Sequence, residues 1–235
     1  MLHASMPNED RQQRFWGWPG IKNLAYAYFV LGPLLMGCFI LVYAGADGLT
    51  GLHHYRVPLF FEWELSIPFV PATVLFYNSL HVAYSIAPFI LRTRGEMNAM
   101  ALVWVLITLL AGIGFLVVPF EAGFPRPADD SLGPWRAMYH FADDANLTFN
   151  CFPSLHVAWS IACLDVYSRK AGRFGKPFLA AWGAAIMLST LLTHFHHVAD
   201  VAGGFLLAMF GSRLLYPWLL SLNVTPRGVR DVVAG

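Results

Sequence analysis

Charge is what this sequence has least of. Only 12% of its 235 residues are Asp, Glu, Lys or Arg, while 57% are hydrophobic and 15% aromatic. Soluble domains carry about 25% charged residues, so this chain belongs in a bilayer. The few charges nearly cancel, to +1, which excludes the basic stripe of a nucleic-acid binder. Cysteine is equally scarce. Cys38, Cys151 and Cys163 are too few and too scattered for a disulfide framework, and no C-x-x-C spacing marks a metal or redox motif. Cys38 and Cys163 sit in apolar runs as small hydrophobes, and Cys151 lies in a loop. Internal repeats, low-complexity runs and linkers are also missing, so residues 1–235 read as one transmembrane domain.

What is present is a series of apolar runs. Those at 24–44, 97–119 and 198–220 are of clean spanning length, about 20 residues each. Three more are interrupted: 65–91 carries Pro68, Pro71, His81 and Pro88; 153–167 is short and holds His156 and Asp165; 178–194 ends in histidines. The expectation is an all-α integral membrane protein with six transmembrane helices. The first run is longer than a signal-peptide core and follows a polar stretch, so it is read as a span. Residues 1–23 form a cytoplasmic interfacial segment with Trp16, Trp18 and Lys22 as anchors.

The basic residues alternate across these six spans. Arg11, Arg14, Lys22, Arg92, Arg94, Arg169, Lys170, Arg173, Lys176, Arg213, Arg227 and Arg230 fall on one side, and Arg56, Arg126 and Arg136 on the other. The positive-inside rule makes both termini cytoplasmic and the odd loops outward-facing. The one long connection, 120–152, is an outward loop carrying part of the site, with enough Pro and aromatic content to be ordered.

Ionisable groups in or beside spans are costly and by default functional. Here they converge on the outward face: Arg126 in the long loop, Ser154 and His156 at the start of span 4, and His194, His196, His197 and Asp200 between spans 5 and 6. Pro153 suits a first helical turn, whose free N–H groups attract an anion. Ser154 adds a hydroxyl, and His156 is placed to protonate a leaving oxygen. The His196–Asp200 spacing lets a carboxylate hold one imidazole nitrogen and aim the other at phosphorus. Arg126 offers a fork to phosphate oxygens. The histidine cluster with Asp200 also suits a metal, and His194, His197 and Asn150 stand close enough for supporting roles. His53, His54, Glu62 and Glu64 share outward loop 1 without a role that the sequence decides. His81 reads as a satisfied core histidine, with haem ligation as the sharper alternative. Tyr77, Asn78 and Ser79 read as packing groups.

Pro153-Ser154-Leu155-His156 resembles the second motif, Pro-Ser-Gly-His, of the membrane-bound type-2 phosphatidic acid phosphatase superfamily. Ser189 through Asp200 resembles the third, Ser-Arg-x5-His-x3-Asp, and Arg126-Pro127 the end of the first, Lys-x6-Arg-Pro. The resemblance implies a six-helix enzyme in which His196 attacks phosphorus, Asp200 orients it, His156 is general acid and then base, and Arg126 and Ser154 hold phosphate. Three positions depart: Pro119 replaces the first-motif Lys, Leu155 the Gly, and Thr190 the third-motif Arg. The stretch Leu191 to Val201, and Ile67 to Pro71 followed by Tyr77, are similar to sphingomyelin synthases and inositol phosphorylceramide synthases.

The reading is therefore a lipid phosphotransferase that moves a phosphoryl or phospho-headgroup through a phosphohistidine to a lipid hydroxyl, without cofactor or metal. Its partners are a phospholipid or lipid phosphate and a lipid alcohol acceptor. The expected location is a bacterial inner membrane, with the site facing the periplasm or exterior. The alternatives are a lipid phosphate phosphatase with water as acceptor and, from another class, a haem-binding or transport protein.

Overall fold

The computed structural model describes residues 15–222, and these contain no strand. Arg11, Arg14, Arg227 and Arg230, and with them most of the interfacial segment, lie outside the described residues. In chain order the helices are α1 Ile21–Thr50, α2 Val74–Asn78, α3 Leu80–Ser85, α4 Ala87–Ile90, α5 Arg94–Val117, α6 Arg136–Ala145, α7 Leu155–Ser168, α8 Gly175–Leu192 and α9 Val198–Ser221. Single π turns interrupt α1 at Ala27–Leu31 and α9 at Gly211–Leu215.

Four of these, α1, α5, α8 and α9, are long and apolar enough to cross a membrane. Their outer faces carry bare hydrophobic side chains, such as Phe29 and Leu41 on α1, which are 80% and 78% exposed. Hydrocarbon is the solvent that tolerates them. A reciprocal cap starts α5: the Glu96 N–H donates to Thr93 Oγ1, and the Thr93 N–H donates to Glu96.

The two weakest apolar runs behave differently. Prolines 68, 71 and 88 remove donors and restrict their neighbours, so the second run is a chain of short pieces: a 3-10 turn at Pro71–Thr73, then α2, α3 and α4. The fourth run is the 14-residue α7, about 21 Å long and shorter than the roughly 30 Å hydrocarbon core. Between His156 and Asp165 at its two ends it is apolar on nearly every side, and ten of its residues are buried among α3, α5, α8 and α9. A helix with no polar face is a core helix. The long loop is ordered, with a 3-10 turn at Asp129–Trp135 leading into α6.

The cations of the even loops meet at one end of the bundle. Arg94 donates to Asn23 at 3.3 Å, Lys170 pairs with Glu96, and Arg169 and Arg213 reach Asp165 at 2.9 and 3.1 Å. The opposite ends of α7 and α9 touch through backbone: the Ser154 N–H donates to the Asp200 carbonyl at 3.1 Å. Gly204 allows this approach. A Cβ there would stand 2.5 Å from the Ser154 carbonyl oxygen and 3.0 Å from Val157 Cβ. Backbone cannot swing aside, so Gly204→Ala should cost about 1–3 kcal/mol of stability and separate the two helix starts. Thermal unfolding in detergent and turnover should both fall.

Candidate active site

His196 lies in the turn between α8 and α9, and its N–H donates to the Thr190 carbonyl at 3.1 Å. The residue is buried, 6% exposed, between two partners. Ser154 Oγ is 3.0 Å from its Nε2 and Asp200 Oδ2 is 3.5 Å from its Nδ1. Ser154 is the N-cap of α7: its Oγ accepts the Val157 N–H at 3.3 Å, leaving its own hydrogen to point at Nε2. Asp200 is the third residue of α9, and its Oδ2 accepts the His197 N–H at 2.9 Å. A carboxylate facing Nδ1 favours the tautomer protonated there and leaves the Nε2 lone pair outward. That is the form in which imidazole is a nucleophile. The 3.5 Å gap is longer than a hydrogen bond, as catalytic pairs commonly are before substrate tightens them.

His156 is the second residue of α7. Its Nε2 lies 2.8 Å from the Tyr77 carbonyl, and its ring stacks on Tyr77 with centroids 3.7 Å apart. A carbonyl only accepts, so Nε2 carries a proton and Nδ1 is the atom that exchanges one. Tyr77 is thus part of the site rather than the packing group read from sequence: its hydroxyl also donates to Asn146 Oδ1 at 3.0 Å, and its ring leans on Phe195. Asn78 and Ser79 do pack: Asn78 Nδ2 donates to the Met138 carbonyl at 3.2 Å, and Ser79 Oγ accepts the Trp182 ring N–H at 2.8 Å. His81 is corrected as well. It lies on an exposed helix face with the edges of Tyr84 and Phe141 for company.

His197 and His194 frame the site without reaching into it. His197 is 2% exposed. Its Nδ1 donates to Glu64 at 3.1 Å, its Nε2 accepts the Gly123 N–H at 3.2 Å, and both nitrogens are therefore spent. Phe60 and Phe124 stack on its two sides. Phe124 is shared with His194, whose Nε2 bonds the Ile67 carbonyl at 3.0 Å and whose backbone is left-handed, φ 61°. Glu64, fully buried, also accepts the Val198 N–H at 2.8 Å and the Phe61 N–H at 3.0 Å. Loop 1 and the long loop are in this way fastened to the turn that carries His196.

Burial lowers the His197 pKa below its ordinary 6.5, with Glu64 pulling the other way. The folded form resists protonation, so this contribution is complete above pH 6.5 and is lost as pH falls below it, where the unfolded chain takes up the proton. Thermal unfolding should shift downward between pH 7.5 and 5.5, and His197→Gln should flatten part of that slope.

Arg126 is exposed, two residues from the stacked Phe124. Burial and Asp143 push the Tyr139 phenol up while Arg126 opposes them, which puts this guanidinium within electrostatic range of Tyr139. Tyr139 in turn donates to the Thr193 carbonyl and stacks on Phe195. Two of the three departed motif positions are spent on structure: Thr190 Oγ1 donates within its own helix to Met187, and the Pro119 carbonyl accepts the Val57 N–H.

Asn150 is buried, with Nδ2 on the Tyr43 carbonyl and Oδ1 unpartnered. Beside it is a residue the sequence reading set aside. Cys151 offers its sulfur within 4.8 Å of His196 and Asp200. The metal set drawn from sequence, His194, His196, His197 and Asp200, does not assemble, since His194 and His197 turn to Ile67, Glu64 and Gly123.

A buried serine, two histidines and a carboxylate at the meeting of two helix starts, in a bundle with hydrocarbon-facing walls, suit phosphoryl transfer on lipids. The chain matches the PAP2 superfamily over residues 59–214 and belongs to it. Membership places it among phosphatase- and phosphotransferase-type lipid enzymes. No curated protein and no solved structure matches the chain.

Proposed function

We propose that the chain is a six-crossing lipid phosphotransferase working by double displacement through His196, with its site on the non-cytoplasmic face. The observation that carries this is the Ser154–His196–Asp200 line, with Nε2 held at 3.0 Å from Ser154 and Nδ1 facing Asp200. In the first half, His196 Nε2 attacks phosphorus, the P–O bond to the leaving alcohol breaks, and His156 gives that oxygen a proton. In the second, His156 takes the proton of the acceptor hydroxyl, whose oxygen attacks phosphorus and breaks the P–N bond. Ser154 and the free N–H groups at the α7 start cradle the phosphate oxygens.

A lipid hydroxyl is preferred to water as acceptor because aromatic rings roof the site. Tyr77, Tyr139 and Phe195 stack on one side, and Phe60, Phe120 and Phe124 close around His197 on the other. Such a lining suits a lipid tail and offers water little to bond. Arg126 waits at the rim, so Arg126→Ala should raise KM about tenfold with little change in kcat, the mark of a residue that steers and binds charge. The decisive assay incubates the purified protein with labelled phospholipids, with and without ceramide or diacylglycerol. Label appearing on a second lipid supports the transferase; label released only as free phosphate or free phospho-headgroup makes the chain a lipid phosphatase or phospholipase and sinks the transfer.

A further inference from the structure

Two buried polar atoms in the site have no partner. His196 Nδ1 and Asp200 Oδ1 both lack a hydrogen bond, although the side chains are 8% and 0% exposed. Orphaned buried polar atoms are uncommon and ask for a reason. The third group of this corner is the Cys151 sulfur. One ligand atom from each of Cys151, His196 and Asp200 lies within 4.8 Å of the others.

We propose that Cys151, His196 and Asp200 form a site for a thiophilic divalent cation, zinc being the type, that switches the enzyme off. The donors are one thiolate, one imidazole and one carboxylate, which is the mixed sulfur, nitrogen and oxygen set that zinc accepts. Zinc ligands at 2.0–2.3 Å stand about 3.3–3.8 Å apart in a tetrahedron. The corner therefore contracts by about 1 Å, within the reach of a cysteine side chain at the end of a loop. Magnesium and calcium, which demand oxygen ligands, do not fit. Binding expels the thiol proton and, with Nδ1 and Oδ1 as the ligand atoms, fills the two orphaned positions. A cation on Nδ1 takes the place of the proton that Asp200 steadies, and one on Nε2 covers the attacking atom. Either way His196 can no longer attack phosphorus. The inhibition rests on His196 being the nucleophile; the binding does not.

The test uses the full chain in detergent, stripped with chelator. Cobalt(II) replaces zinc as the probe because thiolate ligation gives it a charge-transfer absorption. Wild type should show this band, saturating at one cobalt per chain and abolished by zinc. Cys151→Ser and Cys151→Ala should lack it, while Cys38→Ala should keep it. In the transfer assay zinc should inhibit reversibly, magnesium should not, and Cys151→Ser should keep its metal-free activity. That variant should need roughly 100-fold more zinc, at least what losing an outer-shell partner costs a metal site. A missing band in wild type, an equal band in Cys151→Ser, or equal zinc sensitivity of the two proteins overturns the site. If the band appears as stated in a protein without lipid turnover, the cation site stands and the catalytic reading falls.

Discussion

His196→Gln should fold normally, bind lipid, and turn over at less than roughly one part in 10⁴ of the wild-type rate. Removing a nucleophile costs far more than removing any single binding contact. Glutamine fills similar space, so the Ser154 hydroxyl and the His197 N–H bond to Asp200 are kept, and stability should change little. The informative measurement is covalent. With a phosphorus-labelled lipid quenched at short times, wild type should carry acid-labile, base-stable label and His196→Gln none. His156→Gln should slow both halves of the reaction. It lacks the acid for the leaving alcohol and the base for the acceptor, so its turnover should fall by 10²–10⁴-fold, the usual share of a general acid–base. Label that persists on the chain in His196→Gln would assign the nucleophile elsewhere.

How much of this could be read beforehand depends on the range of each interaction. The spacing of His196 and Asp200 spans one helical turn, and Ser154 with His156 shares one helix start, so those pairs were legible as local geometry. Their meeting followed from topology alone, and the structure draws them to 3.0 and 3.5 Å. Helix α7 looks like a weak span in sequence because length and polarity both count against it. Burial on all faces explains its composition, and no periodicity distinguishes that case from a short span. Tyr77 gives no such signal, because its contact with His156 crosses 79 residues and uses a backbone carbonyl, which any residue supplies. Cys151 was passed over for a related reason: its partners are 45 and 49 positions away, and motif spacing registers near neighbours. His81 shows the converse, a histidine in an apolar run that simply faces outward.

The same limit hides the residue with the largest expected effect on stability. Glu62 and Glu64 are indistinguishable in sequence, two carboxylates flanking a tryptophan in a short loop. In the structure Glu62 is exposed and Glu64 is 0% exposed, accepting the Phe61 and Val198 N–H groups and the His197 ring N–H. Glu64→Ala strands three N–H donors, the buried His197 ring N–H among them, and leaving buried donors unsatisfied costs about 1–3 kcal/mol each. Glu62→Ala, at a solvated position, should stay within about 0.5 kcal/mol. The loss should also be visible in function. Glu64 accepts the Val198 N–H at the start of α9 and so fastens loop 1 to His197 and, through Gly123, to the loop that carries Arg126. Without it the turn holding His196 is free to shift, and a misplacement of about 1 Å is enough to cost 10²-fold in rate. Glu64→Gln keeps one acceptor oxygen but turns an amide N–H₂ toward groups that also donate, so it should recover only part of the stability. Thermal unfolding of the three variants, with turnover measured well below each midpoint, checks the order: Glu62→Ala like wild type, Glu64→Gln intermediate, Glu64→Ala lowest. Equal midpoints for Glu62→Ala and Glu64→Ala would show that loop 1 is not fastened to the turn that holds His196.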